Sequence, residues 1–246
     1  VTFTPQQCFM TDKPLRAPRH RPDAGYARGE ETRRRIIDVA LRLFAERGYE
    51  GASTREIAKA AGVNAPALQY YFDNKEGVYQ ACAQHIVDSS VEHFLPAVER
   101  AEAVLARADA SADDLFEAFG GLLDAIAEHQ LLPDDAEHRR LFMAHEQVGQ
   151  GPNLIFDMLD QDLRPRMAKV STALVSRYSG LDASDPLLRM RIMMLLGQLM
   201  VFALGRRMQL AKLGWERFGP KEVATIKQAA RDHCRVLMDH WRQASA

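Results

Sequence analysis

From Glu30 to the C-terminus the apolar residues of this chain recur at helical spacing, and no segment alternates apolar with polar residues up to a hairpin turn. Ile36, Val39, Ala40, Leu43 and Phe44 fall at i, i+3, i+4, i+7 and i+8, one face of a helix that Gly48 is suited to stop. Ser53-Thr54-Arg55-Glu56 has the form of a capping box and opens a short helix, Thr54 to Ala61. Gly62 ends it. Asn64 caps a second helix, Ala65 to Phe72, with Pro66 in its first turn where a missing N–H costs little. Asp73 or Asn74 caps a longer helix that starts at Lys75. Beyond residue 80 the pattern predicts helices over about 75–105, 113–130, 134–148, 152–179, 185–213 and 219–243, with polar, Gly or Pro breaks between them. No internal repeat interrupts this order. The fold class is all-α, with about nine or ten helices.

A chain of 246 residues allows one large domain or two modest ones. Its 47% apolar and 26% charged residues exclude a disordered chain, a collagen-like repeat and a disulfide scaffold. The net charge of −1 argues against a protein that coats nucleic acid by bulk positive charge. The charge is unevenly spread, however. Up to Tyr79 there are 13 basic against 10 acidic residues, and beyond it 19 against 23. That asymmetry suits nucleic-acid contact confined to one end. Cys8, Cys82 and Cys234 are scattered and form no CxxC pair, which fits a reducing, cytoplasmic setting. No apolar h-region follows the basic N-terminus, so no secretory signal is expected. The longest apolar stretch, Ile192 to Gly205, has 14 residues, short of the roughly 18–20 needed to cross a bilayer. No membrane partner is expected. Residues 1–27, with Pro5, Pro14, Pro18 and Pro22 and several Arg, are read as a flexible N-terminal arm.

Two short helices joined by a tight turn make a helix-turn-helix. Ala58 is small where the two helices approach, and Gly62 sits where the turn demands a left-handed or close backbone. Ile57, Ala61, Val63, Leu68 and Tyr71 or Phe72 supply the apolar contacts. The second helix then offers Ala65, Pro66, Ala67, Gln69 and Tyr70 outward, in a shape that fits a DNA major groove.

The block from Thr32 to Cys82 resembles the N-terminal domain of the TetR family of transcriptional regulators. The residues carrying the likeness are Ile37, Ala40, Phe44 and Gly48, then Ile57-Ala58, Ala61-Gly62-Val63, Leu68, Tyr71-Phe72 and Lys75-Glu76. The resemblance implies a helix-turn-helix DNA-binding domain over 28–79 and a helical ligand-binding and dimerisation domain over 80–246. It implies a homodimer on a palindromic double-stranded operator, usually as a repressor that a small-molecule inducer releases. An activator, or a regulator with no small-molecule ligand, is the alternative. By position in the motif, Tyr70 and Tyr71 are expected at base or phosphate and Lys75 at phosphate; Tyr71 also reads as core. Thr54 and Arg55, opening the first motif helix, are candidate phosphate contacts. Pro66 offers apolar contact to a thymine methyl. Gln69 departs from the family's usual Tyr, and suits either a phosphate or bidentate reading of adenine. Arg33, Arg34 and Arg35 read as a solvated helix face.

The run His145-Glu146, Pro152, Leu154, Phe156 and Asp157 is similar to the C-terminal domain of CecR-type members. Met190, Met193, Met194, Met200 and Met208 gather on one segment with Phe202. Each singly reads as core; as a group they are candidates to line a pocket for a small apolar or amphipathic inducer. Phe116, Phe119, Leu123, Phe142, Met143 and Phe156 complete that candidate lining, with His145 and Glu146 as polar contacts or as structural hydrogen-bonding groups. The helices over about 185–213 and 219–243 are the expected dimer elements. The second carries Val223, Ile226, Ala230, Cys234, Leu237 and Trp241 as an apolar stripe.

Catalysis finds no support. The chain has no Walker-type loop, HExxH or G-x-S-x-G, and Gly149-Gln150-Gly151 follows no strand. His85 with Glu92-His93, and His138 with His145, lack a known metal-ligand spacing. No metal, cofactor or catalytic residue is assigned.

Overall fold

The computed structural model describes residues 22–132 and 136–245, and among these there are twelve helices and no strand. The helices are α1 (Pro22–Gly51), α2 (Thr54–Ala60), α3 (Ala65–Phe72), α4 (Lys75–Ala106), α5 (Ala112–Leu131), α6 (Ala136–Gln147), α7 (Leu154–Asp160), α8 (Leu163–Ser179), α9 (Pro186–Gly197), α10 (Met200–Leu204), α11 (Arg206–Leu213) and α12 (Pro220–Ala244). No helix among the described residues is long and apolar enough to cross a membrane.

Three expectations about helix ends need correction. Helix α1 starts at Pro22, inside the segment read as an arm; Pro suits a first turn because it lacks only an N–H that has no helical partner anyway. The remainder of that arm, 1–21, lies outside the described residues. The helix expected over 152–179 is two helices, because Pro165 cannot donate to Gln161 and its ring crowds that carbonyl. The chain therefore breaks before Leu163 and restarts with Pro165 in the first turn of α8. The helix expected over 185–213 is three, divided after Gly197 and at Gly205. Glycine lowers the cost of leaving a helix and raises the cost of continuing it.

Two apolar cores share α4 as a spine. One gathers Ile36, Ala40 and Phe44 of α1, Ile57 and Ala58 of α2, Leu68 and Phe72 of α3, and Val78, Tyr79, Cys82 and Ile86 of α4. Phe142 of α6, Ile155 and Leu159 of α7, and Leu163 of α8 join the same core. Its centre is aromatic. Tyr79 stacks on Phe142 at 4.4 Å between centroids and meets Phe44 edge-on at 5.0 Å. Such pairs add about 0.5–1.5 kcal/mol each beyond buried area. The second core joins Val98 and Ala101 of α4 to α5, α8, α9, α10 and α12. Phe94 packs against both cores, two residues before Pro96, the proline inside α4.

Candidate functional site

The reading head is built by local hydrogen bonds that the sequence specifies. Ser53 Oγ accepts from the Glu56 amide at 3.2 Å, and the Ser53 amide donates to Glu56 Oε2 at 3.1 Å, a closed capping box at the start of α2. Arg47 donates to the other carboxylate oxygen at 2.8 Å, and these hydrogen bonds hold the Glu56 carboxyl below its usual pKa. At the far end Gly62 takes φ 67°, the Val63 amide donates to the Ala58 carbonyl at 3.0 Å, and the Gly62 amide donates to Lys59 at 3.2 Å. This pair of bonds satisfies the last carbonyls of α2 and turns the chain sharply into α3. Asn64 then caps α3 by accepting from the Ala67 amide at 2.8 Å, and Asn74 caps α4 by accepting from Gly77 at 2.8 Å.

Two residues of the face read as solvated, half-buried Arg33 and exposed Arg35, also brace this head. Arg35 Nε donates to the Ala61 carbonyl at 3.0 Å, and the Arg33 guanidinium lies 5.4 Å from the Phe72 ring centroid. A cation at a helix C-terminus complements the dipole there, which supplies the reason that α1 holds α2 at this angle. Arg34 is exposed.

Helix α3 buries Leu68 and Phe72 and turns its opposite face outward. Ala65, Pro66, Gln69 and Tyr70 are exposed, Tyr70 to 83%. Ala67 and Tyr71 are half-buried, and the Tyr71 ring meets Tyr70 edge-on at 5.3 Å. Thr54 is half-buried and Arg55 exposed at the start of α2. Lys75 differs from the rest. Its ammonium sits 4.4 Å from the Tyr49 ring centroid and 3.5 Å from the Glu50 carbonyl, folded back on the end of α1.

The candidate ligand residues do not share one volume. Phe116, Phe119 and Leu123 are interior to the larger core, and Phe142 is interior to the head core. Met193 and Met194 are exposed, to 73% and 67%. Phe202 packs edge-on against Phe218 at 6.3 Å, and Phe156 lies under the Arg164 guanidinium. His145 and Glu146 make structural hydrogen bonds. His145 Nε2 is 3.1 Å from the Ala45 carbonyl and Nδ1 is 2.9 Å from Gln150 Oε1. Both Glu146 carboxylate oxygens accept backbone amides at the start of α7, from Leu154 at 2.9 Å and Ile155 at 2.8 Å. Residues on helices of equal apolar character are sorted to different volumes by helix rotation, which periodicity does not fix.

Of those candidates, Met143 and Met200 line a cavity that the structure forms between helices. This cavity, of about 270 Å³, lies between α4, α6, α8 and α10 and the end of α5. Ile86, Ser90, Phe94, Leu163, Met167, Met200 and Leu204 make its walls with Met143, and His129, Gln130, Arg139 and Arg140 supply polar groups. Buried Arg139 donates to Ser89 Oγ at 3.0 Å and to the His129 carbonyl at 3.2 Å. Burial, then the charge of Arg139, pushes the His129 imidazole down to about 3. The signal that points to this site is Arg139 itself. It shares a helix face with Phe142, Met143 and Glu146, at i+3, i+4 and i+7, so two charged residues stand on a buried face.

Helix α6 thus has two duties. Arg139, Arg140, Met143 and Ala144 border the cavity, while Phe142, His145 and Glu146 engage the head through α1, α4 and α7.

The family described as "Bacterial regulatory proteins, tetR family" matches residues 36–82, and the CecR C-terminal domain of "HTH-type transcriptional dual regulator CecR" matches residues 116–240. The Shigella flexneri regulator CecR is 29% identical over 222 residues, covering 89% of this chain and 96% of that protein. The Shigella flexneri regulator AcrR is 48% identical over 50 residues, 20% of this chain and 23% of that one. Among solved structures, AibR in complex with isovaleryl coenzyme A and operator DNA has the same fold, with a TM-score of 0.56 at 18% identity, covering 81% of this chain and 96% of its own. A Pseudomonas aeruginosa PAO1 regulator aligns at TM-score 0.55 and 16% identity, over 94% of this chain and 99% of its own. The chain belongs to the TetR family of DNA-binding transcriptional regulators, with a C-terminal domain of the CecR type.

Proposed function

We propose that the protein is a homodimeric repressor that leaves a palindromic operator when a small apolar or amphipathic molecule enters the cavity bordered by α6. Thr54, Arg55, Ala65, Pro66, Ala67, Gln69, Tyr70, Tyr71 and Lys75 contact the DNA in this reading. The exposed row on α3 reads bases, and the residues at the starts of α2 and α4 set register on phosphates. Lys75 gives up its place over Tyr49 as it does so. The dimer forms through α9 to α12, where Met193, Met194, Leu204 and Val236 leave apolar surface exposed to between 67% and 73%.

The observation that carries the reading is the double engagement of α6. A ligand that prefers one setting of Met143 and Arg140 also prefers one setting of His145 against Ala45, and so one angle of α1 and the head. Release then follows as a population shift: the two heads no longer match major grooves one turn, about 34–36 Å, apart.

A gel shift on the DNA around the protein's own gene, run across salt concentrations, tests operator binding. His145→Ala should leave operator affinity within about twofold and raise the ligand concentration needed for release by about tenfold, a coupling of order 1–3 kcal/mol. Unchanged release would take His145 out of the path. The relative's description as a dual regulator favours a second reading, in which the bound protein also activates. A reporter whose output falls on deletion of the gene would support it.

A further inference from the structure

The chemistry at the mouth of the cavity narrows the ligand class, given the reading just proposed. Arg140 stands on the rim, and a second recess of about 340 Å³ adjoins there, sharing Arg140, Ala144 and Leu204 with the first and adding Arg206, Arg207 and Glu137. Arg140 Nη1 donates to the Gln130 carbonyl at 3.1 Å, and Arg206 Nη1 donates to the Leu131 carbonyl at 3.3 Å. Two guanidinium groups therefore converge on the C-terminal end of one helix, α5. Among the described residues, neither has a carboxylate within ion-pair distance.

Among the described residues, three arginines face one carboxylate, Glu137, and a helix C-terminus that supplies about half a negative charge. Burial and the charge of Arg206 make Arg140 harder to keep protonated, which an anion would reverse. Arg164, also on the cavity wall, is already paired with Asp160 at 2.9 Å. Behind the mouth the walls are mainly apolar, with Ser90, His129, Gln130 and Arg139 as polar members. The side-chain oxygen of Gln130 is buried without a hydrogen-bond partner among the described residues. Turned over, that amide presents donors to an acceptor.

We propose that the ligand is an amphipathic organic anion, its apolar chain lying along Ile86, Met143, Met167 and Met200 and its carboxylate or phosphate held between Arg140 and Arg206. Guanidinium forks bind both headgroups with two parallel hydrogen bonds. At about 270 Å³ the cavity falls just below the roughly 300–1,000 Å³ usual for small-molecule sites, so the chain is of medium length at most.

Calorimetric titration of the full-length protein with octanoate, octyl phosphate and octanol tests this, since the three share one apolar chain and differ at the head. At least one anion should bind about tenfold or more tightly than octanol. Arg140→Gln and Arg206→Gln should each reduce that preference to about threefold or less while octanol binds as before, and Arg140→Lys should keep part of it. Thermal melting identifies any variant that fails to fold, and the other then decides. Whichever anion binds better identifies the headgroup. Octanol binding as tightly as both anions, no binding by any of the three, or a preference untouched in both variants overturns the proposal. The same titrations run against operator DNA separate the two readings. An anion that binds with this preference and leaves the operator complex intact upholds the ligand class and defeats inducer release. Octanol releasing the operator as well as the anions do upholds release and defeats the ligand class.

Discussion

Gly62 and His129 show how much one residue's surroundings decide. Gly62 holds φ 67° at the turn of the reading head, and a Cβ added there would meet no atom within 4 Å. The cost of Gly62→Ala is therefore backbone strain alone, about 1–2 kcal/mol. Gly62→Asn should cost less, because Asn tolerates the left-handed region. Chemical unfolding of the two variants checks the order; equal stability would remove the strain argument. His129 links the fold to pH. Its imidazole is held neutral down to about 3, whereas an unfolded histidine protonates near pH 6.5. Stability from the neutral ring is complete above about pH 6.5. It is lost as pH falls, by up to about 1.4 kcal/mol per pH unit, until the folded form protonates near pH 3. His129→Gln should flatten the loss of stability between about pH 6 and pH 4 relative to the parent. Parallel profiles would assign that loss to other groups.

At the scale of the element, the capped pieces were legible and the packed ones less so. Ser53 with Glu56, Asn64 and Asn74 form the caps that their spacing announces, because a cap is a local bond between residues two or three apart. The outward face of α3 follows from the same short-range logic. The breaks at Pro165 and Gly205 were within reach of propensity, yet the apolar pattern runs on through both and hides them. The ligand residues were the least legible. Phe116 and Phe142 look alike in sequence, but they belong to two different cores, and no local signal says which. The informative residues were the charged ones on apolar faces, Arg139 and Glu146, since burying them demands partners that an ordinary core does not contain.

At the scale of the whole molecule, α9 to α11 carry much of the apolar surface left uncovered. Leu204 and Met193 are exposed to 72% and 73%, so replacing either leaves the two cores intact. Leu204→Glu with Met193→Glu should shift the protein from dimer to monomer in sedimentation while the thermal transition of the protomer persists. Operator affinity should fall by about a hundredfold or more, since a single head loses the gain in effective concentration from its tether. A dimer that survives both substitutions would move the interface to another face. The head core has a further consequence, for engineering and for inheritance. Phe142, Ile155, Leu159 and Leu163 complete it from positions more than fifty residues beyond the helix-turn-helix. A graft of residues 28–79 onto a foreign regulator would keep Phe44 and Tyr79 but leave the Tyr79 ring without Phe142 and the core without Ile155, Leu159 and Leu163, and circular dichroism of that fragment should show little cooperative melting. Recombination between relatives would succeed only where the donor and the recipient agree at these four side chains. Specificity for DNA in such chains is thus free to drift by single substitutions on α3, but is poorly suited to exchange as a cassette.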